Sequence, residues 1–149
     1  MKAFIASVLV LAVPSLTHAR LMKAWTYQEM FDKADLVVIA HPSATKDVPE
    51  KSATPDRPMW DVVAQETEFK IGLVTKGDKN LKQLVLHHYR LSKPQEPLIN
   101  GPSFVSFNPK TYQSYLLFLK KEADGRYAPV CGQSDPAIFS VLKLEGSAR

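Results

Sequence analysis

Two segments of this chain, Leu36-Val37-Val38-Ile39-Ala40 and Tyr115-Leu116-Leu117-Phe118-Leu119, are apolar at every position. Successive residues of a strand point to opposite faces. A strand that is apolar throughout therefore needs cover on both sides, and these two runs have the length of central strands. Whatever the fold is, it must place a core on one face of its sheet and a further apolar layer on the other.

Candidates for that layer and that core lie nearby. Thr26-Tyr27-Gln28-Glu29 is a capping box, and Tyr27, Met30, Phe31 and Ala34 then form an apolar stripe at helical spacing. Trp60 to Thr75 reads as a long strand, with Thr67, Phe69, Ile71 and Leu73 on one face and Glu66, Glu68 and Lys70 on the other. Val62 and Ala64 have the opposite parity, which predicts a bulge or sharp bend near Ala64-Gln65, the kind of feature that coils small sheets into barrels. Lys76 to Asn80 is a turn, and Leu81 to Leu91 returns as a hairpin partner. Phe104 to Phe107 reads as a short strand, and Asp124-Gly125 turns the chain into Arg126 to Val130. Asp135 and Pro136 open either a helix, with Ile138, Val141 and Leu142 on one side, or a last strand. The polar stretch from Pro42 to Pro58 and the stretch from Pro94 to Pro102 read as exposed loops. The sum is a mainly β domain with one or two short helices: a small antiparallel barrel of about five strands, with the N-terminal helix packed on it.

The chain starts with Met1-Lys2, an uncharged apolar run from Ala3 to Val13, a break at Pro14-Ser15, and Thr17-His18-Ala19. This is the pattern of a cleavable export signal over residues 1–19, leaving residues 20–149 as a single domain in the periplasm or outside the cell. The apolar run is short of the roughly 20 residues of a spanning helix, so stable membrane insertion is not expected after cleavage. Loss of Lys2 takes the formal charge of +4 to a mild +3. With no basic cluster beyond Lys120-Lys121, nucleic acid is not an expected partner. An unidentified protein or envelope component is. Cys131 is the only cysteine, so an internal disulfide and a CxxC zinc site are both excluded. It is either a buried small residue or a free thiol able to join two chains.

The segments Ala34 to Ala40, Phe69 to Asp78 and Tyr115 to Leu119 resemble the OB-like barrel of tissue inhibitors of metalloproteinases and netrin-type modules. The resemblance implies that fold and an exported protein. It does not extend to the inhibitory chemistry, which in that family uses a disulfide-held N-terminal cysteine; here the residue after the expected cleavage is Arg20.

No G-x-S-x-G, H-E-x-x-H or glycine-rich phosphate motif is present. No catalytic residue is assigned, and no cofactor is expected. His87 and His88 are neighbours on one strand and point to opposite faces. A metal constellation of His41 and His88, with Asp35 or Asp61, supports the alternative of a small metal-dependent hydrolase. Two loops combine glycine with hydrogen-bonding side chains, giving Asn100, Gly101, Gly132, Gln133 and Asp135 as candidate binding residues. The leading expectation is an exported, non-catalytic binding or envelope-associated module.

Overall fold

The computed structural model describes residues 23–50, 61–93 and 101–145. The expected leader, Asn100 and most of the Pro-rich stretches lie outside them. The elements are helix α1 (Tyr27–Lys33) and strands β1 (Leu36–Asp47), β2 (Val62–Lys76), β3 (Gln83–Leu91), β4 (Tyr115–Lys121), β5 (Tyr127–Pro129) and β6 (Val141–Lys143). The strands run β1-β2-β3-β5-β4, and β4 pairs back onto β1 to close a five-stranded barrel of OB-like order. Strand β6 lies on β4, beside β5. The barrel is antiparallel except at β3–β5, which is parallel and joined at one register position, Leu86 opposite Tyr127.

Closure explains the two uniformly apolar segments. Leu36 to Ala40 pairs with Leu119 to Tyr115. Leu36, Val38, Ala40, Leu117 and Leu119 join Phe69, Leu84 and Leu86 in the interior. Val37 and Phe118 face outward, where Met30 and Ala34 of α1 cover them. The helix begins with the expected capping box: Thr26 Oγ1 accepts from Glu29 N, and Glu29 Oε2 accepts from Thr26 N. At its other end Lys76 Nζ donates to Phe31 O at 2.6 Å and Asp32 O at 3.1 Å, where the helix leaves carbonyls unpaired. After β2 the turn needs Gly77 at φ 103°, since a Cβ there would lie 2.8 Å from Leu36 Cδ1.

Three expectations change. Pro42 to Asp47 is not loop but the second half of β1. Pro42 falls beside a register shift between Pro42 and Ala44, a place where a strand tolerates a residue without N–H. The β2–β3 ladder has no shift at Ala64-Gln65; it runs unbroken from Val62–Leu91 to Lys70–Gln83. Val62 and Ala64 are buried for another reason: on the face opposite Thr67 they pack with Tyr89, Val48 and Phe104 in a small separate cluster. The register shifts lie elsewhere, at Ser43 in β1 and at Gly72 and Thr75 in β2. Phe104 to Phe107 is not a strand, although Val105 and Phe107 are buried in the barrel core. Of the two readings left open after Asp135-Pro136 the strand holds: Pro136 to Ser140 is a turn, with Val141 N bonded to Pro136 O at 2.9 Å, and it leads into β6. Among the described residues α1 is the one helix.

Phe107 plugs the barrel. Its ring stands edge-to-face at 5.0 Å from Phe69, 5.0 Å from His88 and 5.1 Å from Tyr115. Phe107→Ala leaves a cavity among three rings and is expected to cost about 3–5 kcal/mol, read as a lower urea midpoint. A loss below about 1 kcal/mol, the level of an ordinary surface change, would show that the segment does not seal the core.

Candidate functional site

The β2–β3 register decides which polar groups meet. Residues opposite one another in an antiparallel pair share a face, so Thr67 and Leu86 look inward, as do Gln65 and His88. Glu66 with His87, and Glu68 with Val85, look outward.

His88 is fully buried, with Nε2 2.8 Å from Thr67 Oγ1, which in turn is 2.8 Å from Thr45 Oγ1. Burial first, and the neighbouring His87 second, push its pKa down from 6.5 to about 4. The imidazole is therefore neutral at physiological pH and serves as a hydrogen-bonded part of the core.

On the outside, the same strand carries a charged cluster. The His87 side chain is 7% exposed, with Nδ1 3.0 Å from Glu122 Oε2 and Nε2 3.0 Å from Glu50 Oε2. The Nδ1 contact is an aligned hydrogen bond; the Nε2 contact is close but not aligned as one. Arg126 reaches Glu50 at 3.1 Å, Glu66 at 3.2 Å, Asp124 at 2.7 Å and Glu122 at 3.7 Å. Burial works against the guanidinium charge, but the carboxylates of Glu50 and Asp124 outweigh it and raise the Arg126 pKa. Glu66 also pairs with Lys46 at 3.0 Å, and that hydrogen bond is the main reason its carboxyl stays below the ordinary range. The cluster ties together the end of β1, the β2–β3 face and the β4–β5 turn.

Beside it runs a groove of about 560 Å³, lined by Glu68, Leu81, Val85, Lys121, Arg126 and Tyr127. Its floor is the weak seam of the barrel. Ile71 N donates to Lys82 O, so by antiparallel alternation Leu84 and Leu86 turn their main-chain groups to β2, while Gln83 and Val85 turn theirs the other way. Before the single contact of Leu86 with Tyr127, no described strand lies along that edge. The groove is floored by an open stretch of sheet.

The residues singled out from sequence fall as follows. His41 faces outward on β1, level with Lys70, which is level with Gln83. His88 lies five residues further along β3, about 17 Å away, and faces inward. The fold does not bring these two histidines together, and no group of His, Cys, Asp and Glu able to hold a metal occurs among the described residues. Asp35 Oδ2 accepts from Lys121 N, and Asp61 Oδ2 accepts from Ser92 Oγ.

The two glycine-containing loops do meet. Ser103 N donates to Ser134 O at 2.9 Å, and to Asp135 Oδ1 at 3.3 Å. Gly132 takes φ 91°, and Gln133 Nε2 donates to His87 O at 2.9 Å. Gln133 thus ties its loop to the barrel, and Asp135 ties the two loops to each other. Cys131 is half-buried; burial raises its thiol pKa, and Sγ lies 3.6 Å from Gly132 O and Asp135 O.

Sequence reasoning missed the Glu50–Glu66–His87–Glu122–Arg126 cluster. The alternation of β2 and β3 places Glu66 and His87 on outward faces, but the hairpin register and the reach of Arg126 are not written in it. No family model matches the sequence, and no curated protein matches it.

The low His88 pKa sets a pH window. Between pH 6.5 and about 4 the unfolded chain binds a proton at this residue that the folded chain does not. The His88 contribution to stability is therefore flat above that window and falls as pH drops through it, by up to about 3 kcal/mol. Asp47 and Glu66 are held below their ordinary values of 3.8 and 4.5, by hydrogen bonds to Arg90 and Lys46 first, so their contribution is present above those values and is lost as pH falls below them. Urea titrations at pH 7, 5.5 and 4.5 should show the fall, and His88→Gln should flatten it. An equal slope in the variant would remove His88 as its source.

Proposed function

We propose that this chain is an exported, non-catalytic binding module, and that its partner is a polypeptide which lays an extended segment into the groove between β3 and the β4–β5 turn. The observation that carries this reading is the open β3 edge: the main-chain groups of Gln83 and the N–H of Val85 turn away from β2 towards a groove with apolar walls at Leu81, Val85 and Tyr127. An added strand meets such an edge through backbone hydrogen bonds, with side-chain pockets at alternate positions.

The likeness to netrin-type modules belongs to the same proposal, with the OB-like strand order as its support. Metalloproteinase inhibition does not, because the lone Cys131 follows β5 and has no second cysteine to pair with. Export rests on the sequence of residues 1–19.

Val85→Pro gives a clean test. Proline removes the N–H that faces the groove, but the β2 ladder does not use that group. A photoreactive residue at position 121 should cross-link one discrete partner in producing cells, and Val85→Pro should abolish that product while thermal unfolding stays cooperative. The same photoreactive residue at Tyr112, fully exposed and outside the groove, should give none. Equal cross-linking from both positions, or a product that survives Val85→Pro, would rule out the edge as the docking site.

A further inference from the structure

We propose that His87 is a proton-operated clasp that fastens the end of β1 to the β4–β5 turn. The inference does not depend on what the groove binds. Both ring nitrogens face carboxylates at 3.0 Å, Nδ1 towards Glu122 and Nε2 towards Glu50. A neutral imidazole has one N–H, and only the imidazolium has two. With two ring protons, His87 can hold both carboxylates. With one, a carboxylate oxygen is left against a ring lone pair in a site almost closed to solvent, where a mismatched polar contact is costly.

The structure decides which carboxylate lets go. Glu122 directly follows β4, its backbone N bonds Arg126 O at 2.8 Å, and both its oxygens lie within 3.2 Å of Nδ1. Glu50 lies past the end of β1, with its side chain 40% exposed and its contact to Nε2 poorly aligned. Glu50 retains Arg126 in either state, but that guanidinium is shared with Glu66, Glu122 and Asp124. The other groups around His87 are Lys46, which engages Glu66, the Tyr89 ring at 5.1 Å, and neutral His88 behind the sheet. None of them supplies a second donor to Glu50 in place of Nε2. Loss of the second ring proton therefore leaves Glu50 on the shared Arg126 alone and loosens the chain where it leaves β1. The adjoining reporters are Val48 N bonded to Ala64 O and Glu50 N bonded to Val48 O.

Heteronuclear NMR of the purified protein between pH 5 and 8 tests this directly. The His87 ring resonances should titrate. At the same midpoint the Glu50 amide should lose about tenfold in exchange protection, after correction for intrinsic rates, as expected for one charge-assisted contact. Glu50→Gln keeps His87 in place, so the ring should still titrate while the step at Val48 and Glu50 disappears. His87→Gln, where it folds, should show no step at any pH. A Glu50 signal that ignores the His87 titration, or a step that persists in Glu50→Gln, would overturn the clasp.

Discussion

The pairing of β1 with β4 is the constraint on which the rest of this molecule depends. It closes the barrel, and it does so with strands apolar on both faces. Leu36, Val38, Ala40, Leu117 and Leu119 fill the interior, while Val37 and Phe118 offer α1 an outer surface. The ladder continues at its edge, where Asp35 N bonds Leu119 O and Asp35 Oδ2 accepts from Lys121 N. Burial of apolar area at roughly 25 cal/mol per Å² acts on both sides of the same strands. A chain with a single cysteine has no disulfide to take over that role.

Closure is not uniform round the barrel. Strands β1, β2 and β3 are joined by long ladders, but β5 is three residues long and meets β3 at one register position. Where backbone pairing is thin, side chains bridge the gap. Gln133 bonds His87 O, and Arg126 and Glu122 reach across from the β4–β5 turn to Glu66 and His87. The charged cluster and the groove occupy one side of the molecule because both arise at this seam. In a part-buried network each ion pair is shielded from solvent, and several charges share the desolvation that would burden an isolated pair.

Much of the fold was legible in the sequence because it follows from local pattern. The capping box at Thr26 and Glu29, the two doubly apolar strands and the Asp124-Gly125 turn are each set by neighbouring residues. Errors arose where tertiary context overrides pattern. Val62 and Ala64 suggested a bulge because a second cluster covers them from outside. Phe104 to Phe107 alternates like a strand, yet its two inward residues act as a plug. Pro42 looked like a loop residue and lies in a strand at a bulge. The site was hardest to read, since Glu50, His87, Glu122 and Arg126 come from three separate segments. His87 and His88 show the division. Alternation alone assigns them to opposite faces, but only the closed barrel makes one a neutral core residue and the other a bridge between two carboxylates.

An open sheet edge is a liability in any soluble protein, since its unpaired N–H and C=O groups invite another chain. Barrels remove edges by closing, and this one nearly does. The short open stretch at Gln83 to Val85 is flanked by Glu68, Lys121 and Asp124 and recessed in a groove. Flanking charges of both signs disfavour indiscriminate pairing of apolar strands. A longer β5, extending the parallel ladder upstream of Tyr127, would close the gap with ordinary hydrogen bonds. The Asp124-Gly125 turn ends β4 and starts β5 so that pairing stops at Leu86, and that early stop is what leaves the groove.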